Sequence, residues 1–164
     1  MRYVFPMAMA ALLAACGSDQ GNETANETAD GGNAIETPAG EPGWAGAGEG
    51  ADYALTLWDE AGAPLVSMRC AGEPRLFEVE MHTVYPIESE ERLSFGFGED
   101  ALTMVADLEH PSGHVVATTE YGEDIAEALR AAPDMTASYG AESFGPVAPP
   151  DAESIAALVA QCEG

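Results

Sequence analysis

At 164 residues the chain has room for one small domain, with or without an unstructured extension. Five arginines, no lysine and 29 carboxylates leave a formal charge of −24. That balance repels phosphate backbones and anionic headgroups alike, which excludes nucleic-acid binding and membrane attachment through a basic patch. A partner recognised through charge must be cationic: a basic protein, a polyamine or a divalent metal ion. The plainer consequence of such a surface is solubility, which requires no partner. Apolar residues make up 46% of the chain, but alanine supplies much of that share, so a modest core is expected.

Residues 1–15 read MRYVFPMAMAALLAA, with Arg2 as a short positive region and Tyr3 to Ala15 as an uncharged, mostly apolar stretch. The stretch falls short of the roughly 20 residues that a membrane-spanning helix needs, and it fits the apolar region of a secretory signal peptide. Leu13-Ala14-Ala15-Cys16 then resembles the lipobox of bacterial lipoproteins, in which small residues precede a cysteine. The resemblance covers only the first 16 or so residues and implies an address rather than an activity. It implies that the signal is removed before Cys16, whose thiol and new amine receive acyl chains such as palmitate. Two or three chains anchor a protein stably in a lipid bilayer, where one holds it marginally. The competing reading is an ordinary signal peptide with Cys16 as a bystander. Gly17 and Ser18 follow the cysteine in place of the aspartate that commonly retains lipoproteins at the inner membrane. The implied location is the cell envelope, at the outer membrane facing the periplasm.

Segment 16–51 carries the lipidation site and a linker of Gly, Asn, Glu, Thr, Asp, Ala and Pro, with Asn-Glu-Thr-Ala duplicated at 22–25 and 26–29. Ile35 and Trp44 are its only large apolar residues. Such a composition buries too little surface to offset its ordering entropy and is expected to be disordered and acidic.

A domain is expected over 52–164. Alternating runs predict strands at 53–58, 64–70, 75–82, 92–97, 101–108 and 114–120, separated by turn signals such as Gly98-Glu-Asp100 and His110-Pro-Ser-Gly113. Read as a meander, they make a single antiparallel sheet. Ile125, Ala128, Leu129 and Ala132 recur at helical spacing over 123–132, and Pro133 ends that helix. A further strand is expected at 134–139. The last helix starts after Pro149-Pro150 with Asp151 as N-cap, and Ile155, Leu158, Val159 and Cys162 form its apolar stripe. The fold class is therefore α+β: a small antiparallel β-sheet or partly closed barrel of about six to seven strands, two helices in the C-terminal half, and one disulfide. With Cys16 lipidated, Cys70 and Cys162 remain, and an oxidising compartment favours their pairing. The alternative is two buried thiols.

Catalytic signatures do not emerge from this pattern. Ser112 and His114 sit two apart without a nucleophile-elbow context, and phosphate loops, dinucleotide fingerprints and zinc helices are missing. Of the three histidines, His110 and His114, with Asp107 and Glu109 beside them, form the one cluster of possible metal-ligand character. The intervening Pro-Ser-Gly marks a turn, so no metal ligand and no cofactor is assigned. Acid pairs such as those in Glu88-Ser-Glu-Glu91 are unavoidable at this composition. Phe77, Phe95, Phe97, Tyr121, Tyr139 and Phe144 are assigned to the core. The chain is expected to be a non-enzymatic lipoprotein with an acidic binding or assembly domain. Small β-rich acidic lipoproteins that inhibit lysozyme resemble it in anchor, size, charge sign and disulfide. Ser112-Gly113-His114-Val115 departs from their Ser-Gly-x-x-Tyr loop. That resemblance implies an inhibitor of a cationic periplasmic enzyme as the alternative, favoured by the −18 charge of residues 52–164 (22 acids, four arginines). A hydrolase or metal-binding protein is a third reading.

Overall fold

The computed structural model describes residues 42–88, 90 and 92–164. The signal segment, Cys16 and the linker up to 41 lie outside the described residues. Within them the domain is α+β, with nine strands, two α-helices and a Cys70–Cys162 disulfide. The strands are β1 (Gly43–Ala47), β2 (Ala54–Trp58), β3 (Pro64–Ala71), β4 (Leu76–Met81), β5 (Arg92–Phe97), β6 (Asp100–Asp107), β7 (Val115–Glu120), β8 (Met135–Tyr139) and β9 (Glu142–Val147). The helices are α1 (Glu123–Ala131) and α2 (Ala152–Glu163).

All nine strands join one antiparallel sheet in the order β1-β2-β3-β4-β7-β6-β5-β8-β9. Two strands exceed the expected number, and the reason is local. Gly-Trp-Ala-Gly-Ala of β1 has the composition of a linker and becomes a strand only because β2 offers it an edge. In β9, Gly145 and Pro146 interrupt the alternation that would have announced it. The meander is also corrected. β4 pairs with β7, not β5, so the β5-β6-β7 hairpins lie in reverse order beside the first four strands. Turn residues announce a hairpin but carry no information about which strand takes the next open edge. The sheet is not closed: β1 and β9 remain its two edges.

One face of the sheet makes the core. Leu55, Met68, Val79, Ala117 and Ala106 lie opposite one another across five strands, and Met104, Leu93 and Tyr139 continue the row. All of them are buried, together with Ile125 and Leu129 of α1 and Ile155, Leu158 and Val159 of α2. α2 lies against β2 and β3, and α1 lies against β5 and α2. The second face is mostly polar, with Thr56, Ser67, Arg69, Glu78, Glu80 and Thr118. There Arg69 pairs with Glu78. The period of two thus decides both faces at once.

Tyr139 anchors the far end of the long crossover from β4 to β5. Tyr139 is buried, and its hydroxyl accepts from the Ile87 amide at 3.0 Å while donating to the Glu90 carbonyl at 2.7 Å.

At the other end, β2 stops at Ala54 opposite Arg69, which leaves the Cys70 backbone without a partner strand on that side. The Gln161 amide of α2 takes the missing place. Its Oε1 accepts from the Cys70 amide at 3.1 Å, and its Nε2 donates to the Cys70 carbonyl at 2.6 Å. One residue on, Cys162 bonds to Cys70 with the Cα atoms 5.2 Å apart, inside the usual disulfide range. Asp151 caps the start of α2 by accepting from the Ser154 amide at 2.9 Å and its hydroxyl at 2.8 Å. Those two donors hold the Asp151 carboxyl below its ordinary value.

Reducing the disulfide removes the constraint on a loop of sequence separation 92, which is worth about 4–5 kcal/mol on the chain-entropy account. Urea unfolding with and without reductant measures it. Gln161→Ala orphans a buried amide and carbonyl, and a loss of about 1–3 kcal/mol is expected in the same measurement. A carboxyl depressed in the folded state stabilises at pH values above its unfolded value and ceases to as pH falls through the folded one. The melting temperature of Asp151→Asn should therefore differ from that of the parent at neutral pH and converge with it in strong acid.

Candidate functional site

Two features stand out, one at the seam of the sheet and one on its second face. At the seam, the sheet curls until its edges approach one another. The Trp44 indole of β1 donates to the Ala148 carbonyl, just past β9, at 2.8 Å. This bond crosses the seam without closing the ladder. A cleft of about 570 Å³ opens there. Trp44, Leu57, Trp58, Leu65, Phe144 and Val147 form its apolar wall, while Asp59, Glu60 and Asp151 bring carboxylates to it. Its size falls in the range of small-ligand and peptide-side-chain pockets.

Local rules place these residues. Asp59 closes the β2–β3 turn by accepting from the Ala61 and Ala63 amides, both at 2.8 Å, an Asx-type turn. A register shift between Leu57 and Trp58 lets both side chains line the cleft although they are adjacent in sequence. Pro149 and Pro150, which precede α2, finish the wall. The Trp58 indole N–H is buried and meets no hydrogen-bond partner among the described residues. An unsatisfied buried donor costs about 1–3 kcal/mol.

On the second face, Glu80 of β4 and His82 just after it share a side, as residues two apart in a strand must. Met81 faces Val115 in the register, which sets His114 across from His82. Glu80 Oε1 lies 3.6 Å from His82 Nδ1 and 3.4 Å from His114 Nδ1. Ser67 of β3 touches His82 Nε2 through its hydroxyl at 3.0 Å. Tyr85 flanks the His114 ring, with centroids 5.8 Å apart. Burial pushes the His82 imidazole below its ordinary value; the Glu80 carboxylate opposes that shift and His114 adds to it.

No protein-family model, curated protein or solved structure matches this chain. Among the described residues no helix is long and apolar enough to cross a membrane.

The residues singled out in the sequence divide accordingly. Cys16 lies outside the described residues, and Cys70 and Cys162 are joined. His110 forms the expected turn: its ring meets the Ser112 hydroxyl at 2.9 Å, and Gly113, at φ +73°, closes the turn with a bond from its amide to the His110 carbonyl. Asp107 and Glu109 bond to one another in the turn after β6. His114 leaves that turn for Glu80 and His82, a grouping that spans 34 residues and has no local signature. Phe77, Phe95, Phe97 and Tyr139 are buried; Tyr121 and Phe144 are half-buried against the core, and Phe144 also faces the cleft. Neither tryptophan announced the cleft, since Trp44 sat in linker composition and Trp58 at the end of a strand.

Trp44→Phe keeps most of the ring but loses the bond to Ala148. Faster amide exchange across β1 is expected, with a stability loss of about 0.5–1.5 kcal/mol. Unchanged β1 protection would show that the seam is held by packing alone.

Proposed function

We propose that this chain is a non-enzymatic cell-envelope lipoprotein, anchored through acylated Cys16, whose acidic domain binds a cationic protein segment in the seam cleft. The observation that carries the binding reading is the pairing of an aromatic wall with a carboxylate rim. Trp44, Trp58 and Phe144 offer apolar surface, and Asp59, Glu60 and Asp151 surround it with negative charge. An apolar side chain flanked by arginine or lysine satisfies both halves of that chemistry, as hot-spot residues do at protein interfaces. The wider charge supports the choice of partner: 22 carboxylates against four arginines over 52–164 favour association with basic surfaces and disfavour acidic ones. The anchor rests on the likeness of Leu13-Ala14-Ala15-Cys16 to a lipobox, and an anchored, tethered domain meets a membrane-proximal partner at raised effective concentration.

Trp44 and Trp58 are the chain's two tryptophans, so intrinsic emission reports on the cleft directly. Titrating the full chain in detergent with a lysine-rich peptide that carries one leucine should shift that emission. The affinity should fall as salt rises and by about tenfold in Phe144→Ala, equivalent to about 1.4 kcal/mol. Binding of equal strength to an all-lysine peptide, or a silent emission spectrum, overturns the cleft as the site. For the anchor, Cys16→Ser should leave the protein in the aqueous phase on detergent phase separation, whereas the parent enters the detergent phase.

A further inference from the structure

We infer that Glu80, His82 and His114 form a binding site for a divalent transition-metal ion, with zinc the best match to two imidazoles and one carboxylate. The site lies on the second face of the sheet and does not depend on the cleft or on what occupies it.

The donor set comes first. Imidazole nitrogen and carboxylate oxygen together suit zinc and its neighbours, and three protein ligands with a remaining position for water form a recurrent zinc arrangement. Bonds of about 2.0–2.1 Å place tetrahedral ligand atoms about 3.3 Å apart. Glu80 Oε1 is already 3.6 Å from His82 Nδ1 and 3.4 Å from His114 Nδ1. The three donor atoms all lie within 4.8 Å of one another, so the histidines need to close by about 1.5 Å at most.

The surroundings hold the ligands in place. Ser67 Oγ stands 3.0 Å from His82 Nε2. A hydrogen on Nε2 donated to that hydroxyl leaves the lone pair on Nδ1, the nitrogen that faces Glu80. This is the outer-shell arrangement that commonly fixes the tautomer of a metal-bound histidine. Glu80 and His114 belong to or border paired strands, and His82 is tied back by its amide to the Leu65 carbonyl at 3.0 Å. Val115 bonds to the Val84 carbonyl at 2.9 Å, which sets the crossover beside His114. Ligands on paired strands keep their separations better than ligands on loops. Arg69, the nearest strand neighbour with a positive charge, is engaged with Glu78. Among the described residues, the ionic contacts of Glu80 are to the two imidazoles alone. The net negative charge of the domain favours entry of a cation.

Zinc chloride titrated into the full chain in detergent, against a chromophoric chelator and with excess calcium present, tests the site. Calcium is a hard ion that occupies carboxylate clusters and leaves imidazole sites to softer ones. One calcium-resistant zinc per chain is expected, abolished in the His82→Asn/His114→Asn double variant and kept in His110→Asn. Ser67→Ala should weaken binding by about 10-fold. On the unmodified chain, a zinc-nucleus substitute such as cadmium should perturb the NMR signals of the His82 and His114 rings and spare His110, so the test survives if the double variant fails to fold. Zinc retained by a folded double variant, zinc fully displaced by calcium, or equal perturbation of all three rings overturns the site and leaves an adventitious ion only.

Discussion

The attachment of α2 to β3 is the constraint on which the rest of the domain depends. β2 ends one residue short of Cys70, and a buried residue's amide and carbonyl would stay unpaired near the end of β3. Gln161 satisfies both, and Cys162 fixes the same point covalently. A side-chain amide here performs the task of a strand residue, because an unpaired backbone group in a dry interior is costly. With α2 held there, its apolar stripe covers β2 and β3, and α1 then packs against both α2 and β5. Pro149 and Pro150, which lead into α2, reach the seam for the same reason.

The fold meets the problem of exposed strand edges in an unusual way. An open nine-stranded sheet presents two edges, each a template for further pairing. Here the edges face one another, bridged by Trp44 and Ala148, with prolines in and after β9 depriving that edge of donors. The space between them is the cleft. The sheet's failure to close and the presence of the cleft are one geometric fact.

Charge organises the surface more than it stabilises it. Arg130 is engaged with Glu163 in an exposed pair that contributes little, and Arg69 reaches the buried Glu78. Carboxylates ring an aromatic wall at the seam, and Glu80 stands between two imidazoles on the second face. On the second face the Ser67 hydroxyl stands 3.0 Å from His82 Nε2, with Glu80 Oε1 3.6 Å from His82 Nδ1. Ser112 contacts His110 within a turn, away from the cleft, and that contact is the turn's own closure.

How much of this was legible follows the range of the interactions involved. Strands β2 to β8 and both helices lie within a residue or two of where alternation, helical spacing and turn residues put them, because those signals are local. Asp151 as cap and Cys162 on the buried stripe were readable for the same reason. β1 was not, since Gly-Trp-Ala-Gly-Ala carries no period and acquires strand form only from β2. The pairing of β4 with β7 was not, because the open edge of β4 accepts any strand of suitable pattern and only the packing of the whole selects one. By itself, then, the sequence determined the charge, the α+β composition, the cysteine pair and a lipobox-like N-terminus. The tertiary structure alone decided which distant residues meet: Trp44 with Phe144 at the seam, His82 with His114 beside Glu80. Such meetings depend on strand register across long loops, and register is a property of the packed sheet that no stretch of neighbouring residues encodes.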